Sequence, residues 1–189
     1  MTTKRKDNID TQIIEGCKAK DALCQKSLYE LTVNKLYNVV YRIVLDRHKT
    51  QDVLQEVYIN IYEKINQFDI QKGAIYHWIN RIAINQSINF LRSNRLIFDD
   101  VSGLEIIEKE FTPLQLLEAE YILDMLHQLP EQQRIIFNLY EIEGYSHEEI
   151  AALLHININS CRVYLSRAKT KLQELITIQQ HNIHTKSQS

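Results

Sequence analysis

EGYSHEEIAALLHININSCRVYLSRAKTKL, residues 143–172, reads as two short helices joined by a turn, with the positive charge gathered on the second. Ser146 can offer its hydroxyl to the free N–H groups of a first helical turn. Glu149, three residues on, completes a capping box. Ile150, Leu153 and Leu154 give that helix one apolar face. The pattern stops at His155-Ile156-Asn157 and restarts after Asn159-Ser160, a second capping signal. From there the bases are Arg162, Arg167, Lys169 and Lys171, and no carboxylate appears before Glu174. A two-helix unit with a basic second helix has the shape and charge to enter a DNA major groove.

The rest of the 189-residue chain fits an all-α protein. Only 4 Gly and 2 Pro interrupt it, and Leu, Ile, Asn, Gln, Glu and Lys are plentiful. No apolar run approaches membrane-spanning length, and the charged start MTTKRKDNID leads into no apolar segment, which predicts a cytosolic protein. Cys17, Cys24 and Cys161 lack zinc-type spacing. The first two are seven apart, on one face of a predicted helix, and read as packing residues. No metal or cofactor is expected.

A formal net charge of −2 sits awkwardly with phosphate binding, until charge is read by segment. Residues 70–98 hold Lys72, Arg81, Arg92 and Arg95 and no acid, whereas 99–124 hold eight acids against Lys109 alone. Two basic blocks are therefore separated by an acidic connector.

Periodicity places a helical hairpin between Ile9 and Leu45, lined by Leu28, Leu31, Leu36, Val39, Val40 and Ile43. Residues 52–68 form a further helix, with Val53, Val57, Ile61 and Ile65 facing inward and Asp52, Glu56, Asn60 and Lys64 elsewhere. Asp69–Gly73 is a loop with Gly73 its flexible point. A helix follows over Ala74–Asn94, with Trp78, Ile82, Ile88 and Leu91 in its core. Pro113 opens the next helix, Pro130 breaks it, and Glu131–Glu141 forms another. The expected domains are 9–97 and 113–178, joined by the linker 98–112 and followed by a disordered tail, 179–189.

Two blocks resemble one family, the extracytoplasmic-function (ECF) group of sigma-70 factors. The first runs through Asp52-Val53-Leu54-Gln55-Glu56-Val57-Tyr58, Phe68, Trp78-Ile79-Asn80-Arg81-Ile82-Ala83-Ile84-Asn85 and Asn89-Phe90-Leu91-Arg92. The second runs through Leu129-Pro130, Gly144-Tyr145-Ser146, Glu148-Glu149-Ile150-Ala151 and Arg167-Ala168-Lys169-Thr170-Lys171-Leu172. The resemblance implies a sigma region 2 bundle, a region 4 helix-turn-helix and no catalytic residue. It implies core RNA polymerase as partner, through the clamp of its largest subunit and the flap of its second largest, together with promoter DNA. Many relatives are also held by an anti-sigma factor, although no residue here encodes such a partner visibly.

By the same resemblance Asp52, Gln55 and Glu56 dock on the polymerase clamp. Phe68, Lys72, Arg81, Asn85, Asn89 and Arg92 serve the −10 element. Asn85 reads a base flipped from the opened strand, and Arg81, Arg92 and Arg95 contact phosphates. Ser160, Arg162, Val163, Ser166, Arg167 and Lys171 serve the −35 element, with Arg167 on a guanine and Arg162, Lys169 and Lys171 on phosphates. The chain departs from the family at His155, where glycine is usual, at Asn159-Ser160-Cys161 for Gly-Thr-Val, and at Tyr164, a frequent Arg position. At His155 either the residue adopts the left-handed conformation or the turn differs slightly from the family's.

Two rivals compete. A conventional regulator would bind duplex DNA without polymerase, with Ile9–Asn94 as its sensor. A metal-dependent hydrolase would use Glu56 and Glu63, or Glu148 and Glu149, but those pairs lack ligand spacing.

Overall fold

An aspartate begins each of the first three helices. Asp10 accepts from the Gln12 N–H at 3.0 Å and starts α1 (Thr11–Lys18). Asp21 accepts from Cys24 N–H at 2.9 Å and starts α2 (Ala22–Val44). Asp46 accepts from Lys49 N–H at 2.9 Å and starts α3 (Arg47–Lys64). Each carboxylate satisfies a donor that the first helical turn leaves unpaired, and its charge complements the helix dipole. After two 3₁₀ turns, Ile65–Gln67 and Ile70–Lys72, the chain enters α4 (Ile75–Ile97).

The computed structural model describes residues 9–97 and 123–186, and every regular element among them is helical. The chain divides into two compact units, 1–99 and 100–189. In the first, α2, α3 and α4 pack on one another through Leu28, Leu36 and Val40, Val53, Val57 and Ile61, and Ile79 and Ala83. The Tyr58 hydroxyl crosses this core to Thr32 Oγ1 at 2.7 Å. The second unit contains α5 (helical over 123–127), α6 (Glu131–Phe137), a π turn over Asn138–Ile142, α7 (His147–Leu154) and α8 (Ile158–Lys186). Its buried residues include Leu126, Leu129, Ile136, Leu139, Ile150, Cys161 and Ala168.

Several sequence expectations change. Leu31 is 57% exposed, and its place facing the core is taken by Thr32 at 1%. Thr32 is tolerated there because its hydroxyl is bonded to both Leu28 O and Tyr58. Cys17 and Cys24 lie on different helices, because α1 stops at Lys18 and Lys20 turns the chain at φ 61°. Gly16 has no side chain where the Cys24 sulfur packs against it. The tail expected to be disordered is helical as far as Lys186. The acidic linker 98–112 and the helix start at Pro113 lie outside the described residues.

Candidate nucleic-acid interface

The turn of the helix-turn-helix forms as its residues dictate. Ser146 Oγ accepts from Glu149 N–H at 3.2 Å, and Glu149 Oε2 accepts from Ser146 N–H at 2.9 Å, the reciprocal pair of a capping box. That carboxylate is thereby committed to the cap. His155 ends α7 in the left-handed region, φ 55° and ψ 44°. α8 begins earlier than its sequence suggests. Asn157, rather than Asn159 or Ser160, caps it, accepting from Asn159 N–H at 2.8 Å.

Cys161, Leu165 and Ala168 are buried along α8, with Leu172 partly buried, and this apolar edge packs on α6 and α7. The opposite side holds Arg162, Val163, Ser166, Arg167 and Thr170, all exposed, with Ser160 half-buried at the first turn. Arg167 makes no ion pair among the described residues. Arg162 lies 3.9 Å from Glu148, and Lys171 lies 3.7 Å from Glu174. These are loose surface pairs that a phosphate could displace.

Lys169 differs. Its ammonium lies 2.6 Å from Glu141 and 5.8 Å from the centre of the Tyr140 ring. Tyr140 stacks on His147 at 4.5 Å, and His147 Nδ1 lies 3.5 Å from Cys161 Sγ. Lys169 therefore ties α8 to the π turn in the free chain, a contact that its sequence reading as a phosphate ligand did not include. Burial pushes the Cys161 thiol above its ordinary range, so this sulfur is a packing group.

In the first unit α4 buries Ile75, Ile79, Ala83, Ile84, Ser87 and Ile88. Arg81, Asn85, Asn89 and Arg92 recur at helical spacing on the other side, Arg81 and Asn89 exposed, Asn85 and Arg92 half-buried. Neither the Asn85 nor the Asn89 amide has a hydrogen-bond partner among the described residues. Lys72 lies on the preceding 3₁₀ turn, exposed and 3.8 Å from Asp69. Phe68 does not share this exposure. Its ring is 6% exposed and packs on the half-buried Trp78 at 5.8 Å. It anchors the base of the Asp69–Gly73 loop instead of offering a face to a nucleotide.

On α3, Asp52, Gln55 and Glu56 are exposed on one face. Ile59, 50% exposed, and Glu63 continue that face at helical spacing. The sequence reading missed Ile59, although its position seven residues after Asp52 places it there. Among the described residues no cluster of three His, Cys, Asp or Glu side chains could hold a metal, and no helix is long and apolar enough to cross a membrane.

Fold and site together define an all-α helix-turn-helix protein with polar, partly basic faces on both units. The Sigma-70 region 2 family model matches residues 28–97, and the Sigma-70, region 4 model matches residues 119–172. The ECF RNA polymerase sigma-E factor of Escherichia coli is 30% identical over 143 residues, covering 66% of this chain and 74% of that protein. The ECF RNA polymerase sigma-E factor of Haemophilus influenzae is 26% identical over 181 residues, covering 88% and 95%. The solved sigma factor RpoE of Bartonella quintana, in complex with the anti-sigma factor NepR, shares the fold. Its TM-score is 0.60 at 23% identity, over 81% of this chain and 96% of that one. The chain belongs to the ECF sigma factors of the sigma-70 family, which direct RNA polymerase to promoters.

Proposed function

We propose that the chain reads a promoter at two points while docked on core RNA polymerase. Asp52, Gln55 and Glu56 meet the clamp of the largest subunit, where their charge sets orientation and association rate more than total affinity. Arg81, Asn85, Asn89, Arg92 and Lys72 engage the opened non-template strand of the −10 element. Asn85 is the base reader: half-buried on the polar side of α4 and without a hydrogen-bond partner among the described residues, its amide has two donors and an acceptor oxygen to offer. α8 enters the major groove of the −35 element, with Arg167 on a guanine and Arg162 and Lys171 on phosphates. The flap of the second-largest subunit contacts the second unit.

The observation that carries this reading is the unneutralised Arg167 on the outward side of α8, the second helix of a unit whose first helix starts in a formed capping box. The factor supplies no chemistry of its own, since nucleotide addition belongs to the polymerase. An anti-sigma factor is a further partner, supported by the complex in which the Bartonella relative was solved.

Core-binding and gel-shift assays test the arrangement. The full chain should bind core polymerase and shift promoter DNA only as part of that complex. A tight, sequence-specific shift by the chain alone would favour the duplex-binding regulator instead.

A further inference from the structure

Val163 presents an apolar side chain, 47% exposed, amid Arg162, Ser166, Arg167 and Thr170. An α-helix turns by about 100° per residue, so Leu165, Ala168 and Leu172 all fall within about 40° of Cys161. Val163 falls about 200° from Cys161, opposite the core, while Arg162 and Arg167 flank it at about 100° and 240°. A β-branched residue at an exposed helical position adds nothing to the core and is a weaker helix former than alanine. Folding gives no reason for a valine there.

We infer that Val163 reads the C5-methyl group of a thymine in the −35 element. The inference rests on the reading of α8 as the −35 helix and adds a base preference to it. The thymine methyl is the apolar feature of the major-groove edge. Valine can bury it, whereas a cytosine at that position has only a C5–H there and carries an amino donor in place of the thymine O4, so the apolar contact is lost. Val163 is the sixth residue of α8, within the N-terminal part that meets base edges in helix-turn-helix docking. Arg167 is one turn further, about 6 Å along the axis. Base pairs step by about 3.4 Å, so the thymine lies within about two base pairs of the guanine read by Arg167.

The test uses the full chain with core polymerase. A promoter library randomised through the −35 region is selected for initiation, and each −35 thymine is then replaced by deoxyuridine, which removes only the methyl group. Wild type should select a thymine whose replacement lowers promoter binding about fourfold, the loss from one buried methyl. Val163→Ala, which shortens the apolar contact, should discriminate the thymine and uracil promoters less than wild type, and Arg167→Ala should keep the methyl sensitivity. Promoter-specific transcription with no methyl-sensitive position, or the same sensitivity in Val163→Ala, would overturn the inference alone. Absence of any promoter-specific transcript would overturn the two-point reading and the inference with it.

Discussion

Replacing Lys169 by alanine should weaken the second unit while leaving the salt dependence of promoter binding unchanged. The Lys169–Glu141 pair is 2.6 Å long, with side chains 52% and 34% exposed, so solvent screening holds its contribution to about 0.5 kcal/mol. The ammonium lies 5.8 Å from the Tyr140 ring centre, near the outer limit for a cation–π contact, which adds about 0.5 kcal/mol. Losing both costs about 1 kcal/mol, or about 4–8 °C in the melting of a unit this size. Calorimetry of the full chain and hydrogen exchange along α8 would read that loss. Promoter binding by the holoenzyme, titrated from low to moderate salt, supplies the second readout. Each phosphate contact contributes about 0.9 to the slope of log affinity against log salt, so Lys171→Ala should flatten the slope by about that amount and Lys169→Ala should not. Lys169→Ala with unaltered stability and a slope reduced by a full charge would refute the assignment and restore Lys169 to the DNA face.

Three further outcomes follow from the geometry. Reversing Asp52 or Glu56 to lysine should slow association with core polymerase at low salt while leaving the melting temperature unchanged, since both side chains are exposed on α3; stopped-flow binding measures it. Ser146→Ala removes the acceptor for Glu149 N–H and should cost about 1 kcal/mol in the second unit. Adding Glu149→Ala should cost less than the sum of the two single changes, because the two residues form one capping box. The Lys49 N–H bond, aided by the Lys49 ammonium, holds the Asp46 carboxyl below its ordinary 3.8. A depressed folded-state value means that the stabilisation is complete above 3.8 and fades as pH falls through the lower folded value. Asp46→Asn, which still caps, should therefore flatten the acid limb of the stability profile of the first unit.

Where capping chemistry and apolar spacing agree, the fold could be read from the residues. Ser146 and Glu149 form the box their spacing announces, His155 adopts the left-handed turn, and Val53, Val57, Ile61 and Ile65 are all buried. The departures have particular causes. Three candidate caps, Asn157, Asn159 and Ser160, stand within four residues, and the choice falls to Asn157, which starts the helix before Cys161 enters the core. Thr32 displaced Leu31 because a tyrosine hydroxyl twenty-six residues away satisfies it, a partner no local pattern reveals. Lys169 looked like any other base on a basic helix, and only the folded π turn brings Glu141 and Tyr140 to it. Phe68 lies beside an exposed loop in sequence, yet Trp78 and the core enclose it.

The central claim is that one chain reads two promoter elements through separate faces. In vitro transcription tests it most directly, using purified core polymerase, the full chain and templates whose −10 and −35 elements are scrambled one at a time. The account predicts a start-site-specific transcript that weakens when either element is scrambled. Asn85→Ala should alter the −10 preference alone. Arg167→Ala should weaken the response to the −35 element with core binding intact. Transcription indifferent to both elements, or no binding to core at all, would contradict the account.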